Sequence, residues 1–280
     1  MSSTANRHTL AARLPFFQSY ECSPRVEGYR RLAYVQLLMP RTAPKPAGSA
    51  PVYRNRILTS LSKGELSSLA PHLSPVTLPQ GHTVLDAGQK VDHAYFLEDG
   101  LASIVVTMES GTSVEVGVVG REGMIGLPLL LGTESLPHRT FIQIPATGFR
   151  IRAAVLRLEL AKSEKLRHRT QVYLQAHLVQ ASQTAGCNRL HEIAERLARW
   201  LLMCDDRTES DDLEITHQTL GDMLGAPRAT VTLAARMLQK AGLVDYSRGH
   251  VRILNRRGLE EAACECYRNI RREYERLDLL

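Results

Sequence analysis

The sequence predicts an α+β fold with three consecutive parts: an antiparallel, jelly-roll-like β-roll, a long helix suited to dimerisation and a C-terminal winged helix-turn-helix. Three observations lead to this fold. Short segments punctuated by glycine run from about Val76 to Arg152, as in an antiparallel roll. After Ala153 the pattern is helical. Two short amphipathic segments then flank Gly225, and a hairpin pattern follows them.

The length of 280 residues suits several domains rather than one. We place an N-terminal extension at 1–55, with one short helix at Leu32–Met39, and the following limits for the rest: the roll at 56–160, the long helix at 161–188, the winged domain at 189–257 and a last helix at 258–280. No apolar run approaches the roughly 18 residues that span a bilayer, and no clean secretion signal is visible. Five cysteines without a C-x-x-C pair fit a reducing cytoplasm.

The β-roll is predicted from six short strands: Thr83–Asp86, Ala94–Leu97, Leu101–Met108, Ser113–Val119, Thr140–Ile144 and Gly148–Arg152. Gly100 and Gly111 each follow a polar pair and predict hairpin turns. Because a roll encloses a small interior, a small ligand could bind there.

The long helix is predicted from a stretch without proline between Lys162 and about Met203. Apolar residues recur along this helix at spacings of 4, 3 and 4 residues and form a stripe on one side: Leu174, Leu178, Ala181 and Ala185. A helix between two domains has little of its own chain to cover such a stripe, which favours a C₂ homodimer. The alternative is that the stripe packs on the roll of its own chain.

The helix-turn-helix begins at Thr216, a suitable N-cap, and Gly225 is placed to end its first helix. Pro227 can open the second helix, whose buried face includes Val231 and Leu238. Arginine near the start of such a helix can contact guanine in the major groove, and threonine can contact a base edge. Two strands around a glycine-bearing turn then predict a wing. The candidate DNA-binding residues are Thr216, Gln218, Arg228, Ala229, Thr230, Thr232, Arg236, Arg248 and His250.

Charge is concentrated in the same region. Between Ala226 and Arg257 there are seven basic residues and one acid, a balance of +6 that equals the excess of the whole chain. Such a segment favours a polyanionic partner, double-stranded DNA in this context. A generic helical hairpin with a solvated basic face is the alternative.

Four motifs carry a family resemblance: Leu85-Asp-Ala-Gly88, Ala94-Tyr-Phe-Leu-Glu-Asp-Gly100, Gly123-Met-Ile-Gly126 and Thr219-Leu-Gly-Asp-Met-Leu-Gly225. In this order, over about residues 56–257, the chain resembles the Crp/Fnr superfamily of bacterial transcription regulators. The resemblance implies a cytoplasmic homodimer that binds a pseudo-palindromic promoter site and has RNA polymerase as a further partner. It also implies that an effector sensed by the roll repositions the DNA-binding helices through the long helix.

The sequence departs from the cyclic-nucleotide binders of this family. Those members have a Glu after the turn glycine for the ribose hydroxyl, and an Arg-Ser/Thr pair for the phosphate. Here Leu127 follows Gly126, although Arg139-Thr140 lies where the pair would fall. A ribose hydroxyl without its partner costs about 1–3 kcal/mol. We therefore expect an effector other than cyclic AMP in a pocket of Gly126, Leu127, Arg139 and Thr140. A cyclic-nucleotide-responsive regulator with a divergent pocket is the alternative, and Arg139 as an exposed strand residue is another.

No cofactor is evident. Cys22 alone precedes Cys187, whereas the iron–sulfur sensors of the family need an N-terminal cysteine cluster. No spacing singles out a haem ligand among His72, His82, His93 and His138. Cys264 and Cys266 would point to different sides of one helix, so we expect structural cysteines and no metal site. We expect no enzymatic activity, because no Gly-rich phosphate loop, H-E-x-x-H or G-x-S-x-G motif is present.

Overall fold

The computed structural model describes residues 52–280 of the chain. The predicted N-terminal extension, with its helix at Leu32–Met39 and Cys22, lies almost entirely outside the described residues. The described part begins with two short helices, α1 (Arg56–Thr59) and α2 (Lys63–Leu69), and a 3₁₀ turn at Ala70–His72. The buried Asn55 caps α1 and also donates from Nδ2 to the carbonyls of Leu97 and Gly123, which fixes the start of the described chain on the roll.

The β-roll consists of five antiparallel strands and one short helix: β1 (Ser74–Leu78), β2 (Thr83–Leu85), β3 (His93–Thr107), β4 (Ser113–Val119), α3 (Leu127–Leu130) and β5 (Arg139–Arg152). The strand order is β1-β5-β3-β4, and β2 also pairs with β5. Apolar side chains such as Phe96, Ile142 and Ile151 fill the interior of the roll. The prediction of an antiparallel roll is confirmed.

Gly100 does not form the predicted hairpin turn. It lies within the continuous strand β3, where the pairing with β5 shifts register on either side of it. Gly100 has a φ of +88°, and a Cβ there would lie 2.3 Å from the carbonyl oxygen of Pro145. The glycine is therefore required for a β-bulge with close backbone packing rather than for a reversal of the chain. Gly111 does lie in a tight turn, between β3 and β4.

Helices follow the roll: α4 (Ala153–Lys162), α5 (Glu164–Leu190) and α6 (Ile193–Asp205). The predicted single helical run is interrupted at His191, whose backbone is extended with ψ of 150°. Glu192 and Glu195 then form a capping box that starts α6. The 27-residue helix α5 ends there, and the chain changes direction into the C-terminal part.

The C-terminal part contains the short strand β6 (Leu213–Glu214), helices α7 (His217–Leu224) and α8 (Arg228–Lys240), strands β7 (Val244–Ser247) and β8 (His250–Ile253), and helices α9 (Arg256–Ala262) and α10 (Glu265–Arg276). The predicted single helix after the wing is instead two helices, because the backbone is extended at Ala263 and Cys264. Helix α10 packs along α5. The helix-turn-helix and wing predicted for this part are confirmed.

The C-terminal part docks on the roll through α7, which packs against β4. At the contact, a Cβ on Gly225 would lie 3.1 Å from the side chain of Val114. Gln80 joins the two parts with a 2.7 Å hydrogen bond to the carbonyl of Glu214. The domain limits given above remain predictions, since all described residues belong to one unit. Within residues 52–280, no helix combines the length and the apolar character that a membrane crossing requires.

Candidate functional site

Helices α7 and α8 form the helix-turn-helix through local signals in the sequence. The Thr216 side-chain oxygen accepts a 3.1 Å hydrogen bond from the Thr219 backbone N–H and so caps α7. Gly225 ends α7 with a φ of +58°, a conformation that glycine adopts without strain. Pro227 then precedes α8, whose buried residues Val231 and Leu238 face the core. This packing turns the opposite side of α8 to the surface.

The exposed side of α8 begins at Arg228, Ala229 and Thr230 and continues through Arg236 and Lys240. The first three occupy the opening turn of the helix, where side chains of a helix-turn-helix contact base edges. Arg236 lies two turns further along the same side. The structure therefore brings four of the predicted DNA-binding residues, Arg228, Ala229, Thr230 and Arg236, onto one exposed surface.

Two apolar side chains that sequence reasoning did not select share this surface. Leu233 is 60% exposed and Met237 is 63% exposed. Their spacing of four residues, continued from Ala229, was a signal that they project from one side of α8. A leucine and a methionine on the exposed side of such a helix are suited to contact with thymine methyl groups.

The wing is closed by a tight turn at Arg248 and Gly249. These residues have φ values of +52° and +86°, as in the type I′ turn that joins two neighbouring strands. The Arg248 side chain is exposed at the tip. Because the three-stranded sheet β6-β8-β7 holds the hairpin, the tip has a fixed position beside α7.

Five exposed basic side chains of α8 and the wing have no acidic partner within ion-pair distance among residues 52–280: Arg228, Arg236, Lys240, Arg248 and Arg252. We call this set the basic surface. The other two cations of the segment are paired, Arg256 with Asp205 and Asp206, and Arg257 with Glu261. Within residues 226–257, the cations without an acidic partner therefore lie on the helix and the hairpin that the sequence assigned to DNA.

Besides Thr216, three predicted DNA-binding side chains have partners within the chain. The Thr232 hydroxyl donates to the Arg228 carbonyl at 2.9 Å and lies 3.1 Å from His217 Nδ1, in the contact between α7 and α8. His250 Nδ1 lies 3.0 Å from an Asp212 carboxylate oxygen. Gln218 donates to Asp222 at 3.0 Å. The candidate role of Thr232 in DNA binding does not fit this position, because the side chain is half-buried and its hydroxyl joins the two helices.

The predicted stripe on α5 lies on a side of the helix that the described chain leaves partly uncovered. Leu178 is 65% exposed, Ala185 is exposed, and Leu174 and Ala181 are half-buried. Gln180 of α5 bonds to Tyr274 of α10, and Arg169 bonds to Leu277 just after α10. Helical periodicity places Gln180 and Arg169 on roughly the opposite side from the stripe. Because most of the Leu178 side chain is exposed, this residue does not fit the alternative in which the whole stripe packs on the roll of its own chain.

A cavity of about 270 Å³ opens between the roll, α3 and α5. Its lining is mainly apolar and includes Ile104, Val116, Met124 and Leu136 from the roll. Leu174, Leu178 and Ala181 of the α5 stripe also line it. A molecule in this cavity would thus touch the roll and the stripe at once.

Gly126, Leu127 and Thr140 line the cavity as predicted, but Arg139 does not. The Arg139 side chain is exposed, and its guanidinium lies 5.1 Å from the centre of the Phe141 ring. Neighbouring residues of a strand point to opposite sides, so the inward Thr140 forces Arg139 outward. The prediction of Arg139 as a pocket residue is corrected to the alternative of an exposed strand residue.

The polar groups of the cavity are few. His177 is buried with no hydrogen-bond partner for Nδ1 among the described residues, and burial lowers its pKa to about 4, which keeps it neutral. The other polar side chains of the lining are those of Asp86, Gln89, His138 and Thr140. Among the described lining residues none is a lysine or arginine. The cavity therefore suits a small, mostly apolar molecule with a polar group beside His177.

Buried charged groups join the roll to α6 and to Arg207, two residues beyond the end of that helix. Arg207 donates to Glu122 at 2.8 Å, and both side chains are almost fully buried. Trp200 donates to Glu115 at 3.0 Å, and Ser103 donates to the other carboxylate oxygen. We call Glu115, Glu122, Trp200 and Arg207 the docking network. Burial raises the pKa of Glu115 to about 7, against the lowering effect of these hydrogen bonds.

Cys264 and Cys266 lie together in a buried group with Cys187 and His191. The expectation that the two cysteines point apart is wrong, because α10 begins at Glu265 and Cys264 precedes it in extended backbone. The Cys187 and Cys264 sulfurs are 3.5 Å apart, and both are free thiols. The hydrogen bond from Cys264 lowers the pKa of Cys187, which favours its thiolate.

Comparisons with known proteins agree with this architecture. Residues 75–161 match the model of the cyclic nucleotide-binding domain, and residues 195–262 match that of the Crp-like helix-turn-helix domain. The global nitrogen regulator of Synechococcus elongatus is 22% identical over 210 residues, which cover 72% of this chain and 94% of that protein.

Two solved structures share the fold. FixK2 from Bradyrhizobium japonicum superposes with a TM-score of 0.59 and 15% identity, over 69% of this chain and 98% of that one. The c-di-GMP responsive global regulator CLP of Xanthomonas campestris gives a TM-score of 0.57 and 17% identity, over 69% and 99% of the two chains. With its β-roll, long helix and winged helix-turn-helix in this order, the chain belongs to the Crp/Fnr family of DNA-binding transcription regulators.

Proposed function

We propose that the chain works as a homodimer whose two α8 helices enter successive major grooves of a pseudo-palindromic site. The basic surface is the observation that carries this proposal. Five cations without acidic partners can each approach the phosphates or base edges of DNA. Arg228 in the first turn of α8 would contact a guanine, and Arg248 at the wing tip would contact a phosphate.

The proposed dimer contact is the stripe Leu174, Leu178, Ala181 and Ala185. Leu178 of this 27-residue helix is exposed, and most of its side chain has no cover among residues 52–280. A second α5 would cover it by knobs-into-holes packing around a two-fold axis. The exposed Leu131 beside the same cavity would extend the covered apolar area.

The proposed effector is a small, mostly apolar molecule, not cyclic AMP. Among residues 52–280 no arginine or lysine lines the cavity to bind a cyclic phosphate, while Asp86 would repel it. Leu127 cannot accept a hydrogen bond from a ribose hydroxyl. A cyclic-nucleotide-responsive regulator with a divergent pocket remains the second candidate. Calorimetry that finds micromolar binding of cyclic AMP or cyclic GMP would favour it over the first.

The proposed coupling runs through α5. A ligand in the cavity would contact Leu174 and Leu178, which also belong to the dimer stripe. Gln180, less than one turn beyond Leu178, bonds to Val118 of β4 and to Tyr274 of α10. A shift of α5 against its partner would thus move the C-terminal part and change the distance between the two α8 helices. We further propose RNA polymerase as a partner on promoter DNA, and action in the cytoplasm.

The test combines selection of bound sequences from random DNA with light scattering. We expect two inverted half-sites, about 10–11 base pairs centre to centre, and the mass of a dimer. Leu178→Glu should bury a charge in the stripe, halve the mass and abolish binding to the paired site. Exposed Leu158→Glu, on α4, is the matched control. An unchanged mass for Leu178→Glu would show that the dimer contact lies elsewhere.

A further inference from the structure

Four potential metal ligands from separate segments meet behind the winged domain. Cys187 lies in the last turn of α5, His191 follows that helix, and Cys264 and Cys266 flank the start of α10. Their ligand atoms all lie within 4.8 Å of one another. None of these residues belongs to the DNA surface, the cavity or the α5 stripe, so the proposed function gives them no role.

The distances fit a single ion. Zn²⁺ binds thiolate at about 2.3 Å and imidazole at about 2.0–2.1 Å, so a tetrahedron places two sulfurs about 3.8 Å apart and a sulfur and nitrogen about 3.6 Å apart. The Cys187 and Cys264 sulfurs are 3.5 Å apart, and the Cys266 sulfur is 3.5 Å from His191 Nδ1. A disulfide needs about 2.05 Å. Small shifts of the four side chains would place one ion at the centre of their ligand atoms.

The surroundings of the four ligands also match a metal site. His191 Nε2 lies 3.1 Å from Glu265, which orients the ring with Nδ1 toward the sulfurs. A carboxylate on the outer nitrogen is the usual support of a metal-bound histidine. Gln183 Nε2 lies 3.2 Å from the Cys266 sulfur and can donate to a thiolate.

Buried positive charge stands near the cluster. Arg196 and Arg199 are 5% and 3% exposed, and the Nε atom of each has no hydrogen-bond partner among the described residues. Three thiolates and a histidine around Zn²⁺ carry one net negative charge. Three neutral thiols would offset none of the charge of these two arginines, whereas the single negative charge of such a centre would offset part of it.

We infer that Cys187, His191, Cys264 and Cys266 form a closed, four-coordinate Zn²⁺ site that fastens α10 to the end of α5. Three sulfurs and one imidazole select zinc over hard cations. The site fixes the α5–α6 junction, where the long helix passes into the DNA-binding part. Because every position is filled by a protein ligand, the ion has a structural role rather than a catalytic one.

The test measures metal in full-length protein purified without an affinity metal. We expect about one Zn²⁺ per chain by mass spectrometry, and a tetrahedral thiolate spectrum after exchange with Co²⁺. Cys264→Ser should lower zinc content about tenfold or more, while Cys204→Ser, which changes a buried cysteine outside the cluster, should not. His191→Cys keeps four ligands and should retain zinc, and Glu265→Gln should weaken the affinity about tenfold.

Three results would overturn the inference. The first is wild-type protein that carries no zinc and gives no tetrahedral Co²⁺ spectrum. The second is zinc content that Cys264→Ser and Cys204→Ser leave equally unchanged, because the ion would then lie elsewhere. The third is a Cys187–Cys264 disulfide or a centre with several irons and sulfide, detected in place of zinc. The wild-type measurements decide the question even if a cysteine variant does not fold.

Discussion

The docking network and the basic surface use the same kind of side chain in opposite ways. Arg207 is 3% exposed, bonds to Glu122 and donates to the Met203 carbonyl. Arg228 is exposed and has no acidic partner among the described residues. A buried and paired charge holds parts of the chain together, whereas an exposed and unpaired charge is available to a polyanion. Substitutions in the two regions should therefore change different measurements.

The largest effect is expected from Glu122→Ala, which leaves Arg207 buried without its carboxylate. Removal of one partner of a buried ion pair costs about 3–5 kcal/mol. Urea unfolding should show this loss in the free energy of unfolding. Glu134→Ala is the control, because Glu134 is exposed and its pairs with Lys90 and Arg157 are worth at most about 1 kcal/mol. Equal losses in both variants would mean that the network does not hold the roll to α6.

Glu115 should make stability depend on pH. Its pKa is raised to about 7 from an ordinary 4.5, so the folded protein keeps a proton that the unfolded chain loses within this window. The contribution of Glu115 to the free energy of unfolding is therefore fully present below about pH 4.5. It falls as the pH rises to about 7 and is constant above that pH. The shift corresponds to a loss on the order of 3 kcal/mol. The neighbouring charges of Arg199 and Arg207 oppose the shift.

The control for this pH effect is Glu115→Gln, which is neutral at every pH. The difference in unfolding free energy between wild type and variant should change across pH 4.5–7 and be constant above it. The buried His177, with its lowered pKa, acts in the opposite direction but equally in both proteins. A difference that does not vary with pH would show that Glu115 is ionised in the folded protein at pH 5.

The two regions also differ in how far sequence could predict them. The helix-turn-helix depends on signals within a few residues: the Thr216 cap, Gly225 at positive φ and Pro227 before α8. The exposed side of α8 follows from its helical period. Local patterns are therefore enough to predict that Arg228 and Arg236 lie on the exposed side of α8 and that a turn exposes Arg248.

The docking network depends on pairing between distant segments, which no local pattern contains. Glu115 and Trp200 are 85 residues apart, as are Glu122 and Arg207. Nothing around Glu115 in β4 distinguishes it from an exposed strand residue. The same holds for Thr232, because its partner His217 lies on the other helix of the pair.

The other differences between prediction and structure arise where strand register or a helix end could not be read from the sequence. Gly100 has the sequence signature of a turn, but it lies in a bulge because β3 continues to pair with β5 on both sides of it. The inward or outward direction of Arg139 depends on that register, and motif spacing alone could not supply it. The sequence pattern places Cys264 and Cys266 on one helix, whereas the extended backbone at Ala263 and Cys264 ends that helix and allows the two side chains to meet.

A smaller effect, confined to DNA binding, is expected from Arg228→Ala. Loss of a bidentate guanine contact should weaken specific binding by about 1–3 kcal/mol per half-site and relax the preference at one base position. Arg228→Lys should lose the same preference while keeping the charge, because lysine lacks the planar fork. Arg257→Ala is the control, since Arg257 is paired with Glu261 outside the basic surface. Unfolding free energy should be unchanged in all three variants.

The smallest effect is expected at the wing tip. Arg248→Gly removes the side chain without straining a turn whose φ is already positive. Loss of a phosphate contact should weaken specific and random DNA alike, and lower the slope of log affinity against log salt by about one per contact. Arg248→Lys should restore that slope, because contact with a phosphate requires a positive charge but not the planar guanidinium group of arginine. This slope is measured by titrating DNA binding with salt for the wild type and both variants. A changed base preference in Arg248→Gly, with an unchanged preference in Arg228→Ala, would mean that the wing contacts bases and α8 contacts phosphates.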